Sequence, residues 1–293
     1  MSSKVKIITD SASDILPEEA KQYDIEVIPF SVFIDGTEYH TGVNLSSEEF
    51  YKLQKTCKSV PTTSLVAPEV IYETIKKYVA DGRDVLLITI SSNGSGFYNS
   101  ARLACEMIAD DYPDAKVKIL DTQKFAYVYA YGAIEAAKMA EQGMGLEEIY
   151  EKTASIISDF EVYAVPESLV YLEKGGRINK ASLIFGSALD LKPMISIRNG
   201  LIESIATLRG TKKIPQKLIK KIKETGVSQE GKTVIIVNGD MDSTVEEFKA
   251  LVQAELNPAE ILVKPIGPTI ATHVGDLWFL INKMAIYLTL LVW

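Results

Sequence analysis

The run Val85-Leu86-Leu87-Ile88-Thr89-Ile90 constrains this chain more than any other: six aliphatic or β-branched residues feed Ser91-Ser92-Asn93-Gly94-Ser95-Gly96 and then a helical pattern. A strand apolar on both faces must be covered on both faces, as in a parallel α/β sheet with helices above and below. The sequence therefore reads strand, tight turn, helix. In open α/β sheets ligands bind outside the carboxyl ends of the strands, where helix N-termini aim unpaired N–H groups into a crevice. Ser95, flanked by Gly94 and Gly96, can bring a hydroxyl and bare backbone donors up to an anionic group. The same residue types also make an ordinary helix cap.

The pattern recurs. Val5-Lys6-Ile7-Ile8-Thr9 ends at Asp10-Ser11-Ala12-Ser13-Asp14, and Val117-Lys118-Ile119-Leu120 ends at Asp121-Thr122-Gln123. Leu16-Pro17-Glu18-Glu19 suits a first helical turn, with proline early and acids at the positive helix end. Ile25 to Ile34 reads as one strand interrupted by Pro29, followed by an Asp35-Gly36 turn, and His40 reads as a surface residue. Thr62-Thr63-Ser64 either caps the helix that opens near Pro68 or presents Thr63 and Ser64 to an anion. Helices are expected over about 127–142 and 146–159. Alternating strands and helices through this half imply βαβ units and a mostly parallel sheet.

From Phe160 onward the pattern changes. Met194–Ile197, Asn199-Gly200 and Leu201–Ile205 form the clearest β-hairpin, because Asn-Gly favours the positive φ of a type I′ turn. Hairpin and single-helix units replace βα alternation, so the chain divides near residue 160, giving domains over 1–160 and 161–293. Lys174-Gly175-Gly176-Arg177-Ile178 reads either as a solvated turn or as a flexible turn carrying a guanidinium fork suited to phosphate or carboxylate. Arg209, Lys212 and Lys213 form a basic cluster in an otherwise acidic chain.

That acidity excludes one class of partner. With 31 Lys+Arg against 39 Asp+Glu the net charge is −8, which opposes non-specific attraction to nucleic acid. The two cysteines, Cys57 and Cys105, read as isolated buried thiols, with no CxxC or mixed Cys/His cluster to suggest a metal. Met1-Ser2-Ser3-Lys4 lead straight into a strand without an apolar leader, so a cytoplasmic location is expected.

Taken in order, Thr9-Asp10-Ser11, Thr62-Thr63-Ser64, Ser91-Ser92-Asn93-Gly94-Ser95-Gly96, Asp121-Thr122, Lys174-Gly175-Gly176-Arg177-Ile178, Lys192-Pro193 and Gly267-Pro268-Thr269-Ile270-Ala271-Thr272-His273-Val274-Gly275 resemble the DegV family. The resemblance implies a two-domain α/β protein: an N-terminal, mostly parallel Rossmann-like sheet with flanking helices, and a C-terminal α+β domain with a mostly antiparallel sheet. Between them it implies a long-chain fatty acid such as palmitate, stearate or oleate, as in the fatty-acid-binding subunit of a bacterial fatty acid kinase, which serves phospholipid metabolism. It implies no cofactor, no metal and no catalytic residue in this chain, which acts as a lipid carrier. The partner is a separate kinase subunit that phosphorylates the bound carboxylate, and transient contact with a membrane surface is compatible with that role.

By the same resemblance Thr63 and Ser95 are hydroxyl donors to the carboxylate and His273 lies near the same head group. Ser64, Ser92, Gly94 and Gly96 form the neighbouring loops, while Arg177 and Arg209 mark the head-group entrance or the kinase docking surface. The chain departs from the family pattern at Leu65-Val66, where Gln-Pro is usual, and at Phe97, where Thr is usual. After Gly275 it departs further, into an apolar run interrupted by Asn282-Lys283 and too short for a confident membrane span. That run is read as a divergent end, either a core strand or an exposed apolar tail.

Two rival functions are weighed against this. A serine hydrolase needs a Gly-x-Ser-x-Gly elbow, and positions 93 and 97 are Asn and Phe. A phosphosugar- or nucleotide-binding protein would also use hydroxyl-rich strand-end turns, although neither GxGxxG nor a Walker motif occurs.

Overall fold

A computed structural model describes residues 4–166, 170–177, 191–210, 213–239, 244–275 and 277–283. The chain runs through β1 (Val5–Asp10), α1 (Pro17–Gln22), β2 (Ile25–Ile28), β3 (Ser31–Ile34), β4 (Thr37–His40), α2 (Ser47–Gln54), β5 (Thr62–Thr63) and α3 (Pro68–Val79). It continues with β6 (Asp84–Thr89), α4 (Phe97–Asp111), β7 (Val117–Asp121), α5 (Tyr127–Glu141) and α6 (Leu146–Ser158). Then come β8 (Phe160–Pro166), α7 (Val170–Lys174), β9 (Leu191–Arg198), β10 (Leu201–Arg209) and α8 (Ile214–Glu224). The last elements are β11 (Thr233–Asn238), α9 (Thr244–Leu256), β12 (Glu260–Pro265), α10 (Pro268–Val274) and β13 (Leu277–Lys283).

The apolar run from Val85 forms β6, an inner strand of a parallel sheet ordered β2-β1-β6-β7. Val85 to Ile88 have no exposed surface, as a strand covered on both faces requires. Local signals set the helix starts: Ser46 and Glu49 form a capping box that opens α2, and Pro68 occupies the first turn of α3. The segment 25–34 differs from expectation. It is not one strand: β2 pairs with β1, whereas β3 belongs to a separate three-stranded sheet ordered β4-β3-β5. Pro29 lacks the N–H that a continuous ladder needs, so the chain changes sheet there. His40 is exposed on β4, as the sequence suggests.

The second half is a six-stranded sheet ordered β10-β9-β8-β13-β11-β12, antiparallel except for the β11–β12 pair. The hairpin turn has φ of 49° at Asn199 and 73° at Gly200, both positive as a type I′ turn demands. β13 settles the first part of the C-terminal run. It lies between β8 and β11, paired to both, so 277–283 is an inner strand of the sheet rather than a tail. Ile178, Lys212 and 284–293 lie outside the described residues.

Strand alternation divides the apolar residues of this sheet between two cores. Val162, Ala164, Ile195, Ile197 and Ile202 join the large core that continues into the parallel half. Tyr163, Val165 and Met194, one position out of phase, pack instead with Leu218, Ile219 and Ile222 of α8 and with Phe248 and Val252 of α9. Polar contacts add to the join between halves. Ser91 Oγ donates to Gly200 O at 2.8 Å and Asn93 Nδ2 to Asn199 O at 2.9 Å, so the strand-end turn of β6 holds the hairpin tip. Lys264 of β12 pairs with Glu19 of α1 at 2.5 Å, with both side chains largely buried.

Candidate functional site

The face that the six-stranded sheet turns towards the first half does not pack flush. A narrow cavity of about 50 Å³ lies there. Val162, Ala164, Ile195, Ile197 and Ile202 wall one side. Phe30, Ile90 and Phe125 wall the other, with Leu172 of α7 and Ile270 and Val274 of α10 between them. A slot this narrow and apolar suits an unbranched alkyl chain.

Polar groups gather where Thr63, Gly94, Ser95, Arg177 and His273 line the same cavity. Thr63 is placed by β5, where Val32 pairs with it and Ser64 N donates to Ser31 O at 3.2 Å. Thr63 Oγ1 lies 2.9 Å from His273 Nε2. Ser95 follows β6: its Oγ accepts from Phe97 N at 3.2 Å, as a cap would, and the residue lines the cavity. Arg177 Nε donates to Gly94 O at 3.2 Å, joining α7 to the Ser95 turn. Burial and then the nearby Arg177 charge push the His273 imidazole down to about 4, so it is neutral near pH 7. A neutral ring can donate one hydrogen bond and accept another.

Not every predicted residue comes to this cavity. Ser64 is exposed beside Thr63. Ser92 is also exposed and gives both its N–H and its hydroxyl to Asp121. Gly96 caps α4 and faces Leu65, whose Cδ1 would be 3.1 Å from an added Cβ. Arg209 lies exposed at the end of β10, the edge strand, and does not line the cavity. Cys57 and Cys105 are half-buried rather than buried, and burial pushes the Cys105 thiol up to about 12. Burial also raises the Cys57 thiol, so both side chains favour the protonated form.

The structure adds residues with no role assigned from sequence. Asp10, fully buried, accepts from Ala12 N, Tyr129 Oη and Ile90 N at 3.0, 2.7 and 2.9 Å, so one carboxylate ties together the ends of β1 and β6 and the start of α5. Burial pushes it up to about 6. Thr269 Oγ1 donates to Thr41 Oγ1 at 2.9 Å and lies 3.3 Å from Ser11 Oγ, anchoring the start of α10. Gly267 leaves room for Asp14, whose Oδ1 would sit 2.4 Å from a Cβ there. The polar Asp10 and Ser11 at a strand end were a visible signal; Thr41 and Tyr129 carry none, because only the fold brings them in. Among the described residues no group of three or more His, Cys, Asp or Glu could hold a metal, and no helix is long and apolar enough to cross a membrane.

Comparison with known proteins agrees with this architecture. A "DegV domain-containing protein" of Caldanaerobacter subterraneus subsp. tengcongensis is 32% identical over 93% of this chain and 95% of its own length. A Thermotoga maritima protein whose structure reveals a fatty acid binding function is 31% identical, covers 96% of this chain and 100% of its own, and superposes with a TM-score of 0.80. A stearic-acid-binding protein from Eubacterium ventriosum is 27% identical, covers 96% and 98%, and gives a TM-score of 0.83. The model of the family described as "Uncharacterised protein, DegV family" matches residues 4–279. Matched over residues 4–279, from β1 into β13, this chain belongs to the DegV family.

Proposed function

We propose that this protein binds a long-chain fatty acid in the cavity between its two halves, taken as domains 1–160 and 161–293, and presents the carboxylate to a separate kinase for acyl phosphate formation. The observation that carries the reading is one narrow, mostly apolar slot whose lining includes the Thr63 and Ser95 hydroxyls and a neutral imidazole. Burying the tail of a C16 acid gains about 0.8 kcal/mol per methylene, on the order of 10 kcal/mol before ordering costs. A carboxylate taken from water without partners would cancel much of that, so hydrogen-bond donors are needed at its end. In this reading Thr63 and Ser95 are those donors and His273 completes the site beside them: its neutral Nε2–H donates to Thr63 Oγ1, 2.9 Å away, which leaves the threonine proton for the carboxylate. Neutral donors hold the carboxylate without quenching its charge, which leaves it nucleophilic towards a phosphoryl group.

Arg177, at the mouth, and Arg209, outside it, are the residues assigned to kinase docking. The chain supplies no chemistry of its own and works as a carrier subunit in the cytoplasm, with no cofactor. Relatives that bind fatty acids support the ligand class. The rival, a phosphosugar or nucleotide, would place a doubly charged group in a slot walled mostly by aliphatic side chains, at a desolvation cost that a single arginine does not offset. Titration of delipidated protein with oleate, glucose 6-phosphate and ATP separates the two: only oleate should bind in the micromolar range or tighter. With a partner kinase, Ser95→Ala should slow phosphorylation of bound lipid about tenfold with the fold intact, and unchanged turnover would remove Ser95 from the site.

A further inference from the structure

Two glycines end α7, and only one is explained by the backbone. Arg177 N donates to Leu172 O and Gly176 N to Glu173 O, both at 3.0 Å, the bonding pattern of a Schellman motif. Gly176 is the left-handed residue of that motif, with φ of 70°. Gly175 has no positive φ, so its backbone does not call for glycine. What it lacks is room: an added Cβ would lie 2.7 Å from His273 Nδ1 and 3.1 Å from Tyr171 O. The contact is reciprocal, since a Cβ on Gly275, just past α10, would lie 2.8 Å from the Tyr171 ring. α7 and α10 therefore meet through one glycine each.

We infer that Gly175 is a positioning residue for His273: the bare Cα at 175 supports one edge of the imidazole while Thr63 holds the other. The ring is caught between Gly175 on its Nδ1 side and Thr63 Oγ1, 2.9 Å from Nε2, so displacement at one edge is felt at the other. The same loop carries Arg177 to Gly94 O. A methyl group at 175, 2.7 Å from Nδ1, forces the ring to move and so spoils the geometry of the Thr63 contact, and it also crowds Tyr171 O at 3.1 Å. This rests on the proposed role of His273 in holding the carboxylate.

The test is a cycle of Gly175→Ala, His273→Ala and the double variant, read by fatty acid affinity and by the imidazole ¹⁵N shifts of the ligand-free protein. Gly145→Ala, at a glycine with open space around it, is the control. G175A should weaken oleate binding about tenfold, shift the His273 resonances, and have less than a twofold effect once His273 is already alanine. Equal losses in both backgrounds, or unchanged resonances, would overturn it. If G175A fails to fold, the double variant decides: recovery of the fold on removing the ring supports the steric link, and continued misfolding contradicts it. The resonance shifts stand even where wild-type protein binds no fatty acid, which separates failure of this inference from failure of the proposed function.

Discussion

The two walls of the cavity are built by different means. The parallel sheet contributes ends: the segments that follow β2, β6 and β7 bring Phe30, Ile90, Phe125 and the Ser95 loop to the cavity. The antiparallel sheet contributes a face: alternate residues of β8, β9 and β10 supply an apolar wall, while the intervening residues pack against α8 and α9. The difference shows how affinity and orientation separate. A face supplies area, hence binding energy with little direction; a strand end supplies a few aimed donors.

That comparison can be broken at the wall first. Ala164, fully buried in β8 and lining the slot, is the sharpest point. Ala164→Phe should fill the space of about three methylenes, costing roughly 2.4 kcal/mol and lowering oleate affinity fifty- to a hundredfold. Calorimetry reads the affinity; a thermal melt should show the fold retained, with overpacking costing about 1–3 kcal/mol. At the donor end the effect is smaller. Thr63→Val should weaken binding about tenfold, the worth of one hydrogen bond, because the tail remains buried.

The two ends also answer to pH in opposite senses. Asp10 holds its proton more tightly folded than unfolded, with about 6 against 3.8, so its contribution to stability grows as pH falls through that window, by up to roughly 3 kcal/mol. His273 does the reverse, because its folded value of about 4 lies below the ordinary 6.5 and stability is lost as pH falls between them. In melts from pH 7 to pH 4.5, Asp10→Asn should become progressively less stable relative to wild type, and His273→Gln progressively more stable. The smallest effect is expected at Arg209. Arg209→Ala should leave oleate affinity within twofold while slowing kinase-dependent phosphorylation, and a tenfold loss of oleate affinity would show that the cavity reaches the edge strand.

Much of this was legible in the sequence because it is written locally. The β6 run is apolar on both faces and could only be a central strand, and Asn199-Gly200 could only be a tight turn. Thr63, Ser95 and His273 were found together through motifs in order, and they line one cavity. What escaped depends on distance in the chain. Pro29 marks a break in the run 25–34, but nothing local tells that β2 and β3 join different sheets; nothing local places 277–283 between β8 and β11, since an apolar run suits an inner strand and a sticky tail alike. Gly175 was visible as half of a glycine pair, but its reason is an imidazole that only the packing of α7 on α10 brings near. Arg209 looked like Arg177 in the sequence, yet one closes on the Ser95 turn and the other ends an edge strand.

The central claim is that an alkyl tail occupies the slot with its acid end at Thr63, Ser95 and His273. Native mass spectrometry of the purified protein, followed by organic extraction and lipid analysis, tests it most directly. The account predicts about one long-chain fatty acid per chain, lost from the Ala164→Phe variant. Protein that carries no lipid and takes up none when offered oleate, or that releases a water-soluble phosphate compound instead, would contradict it.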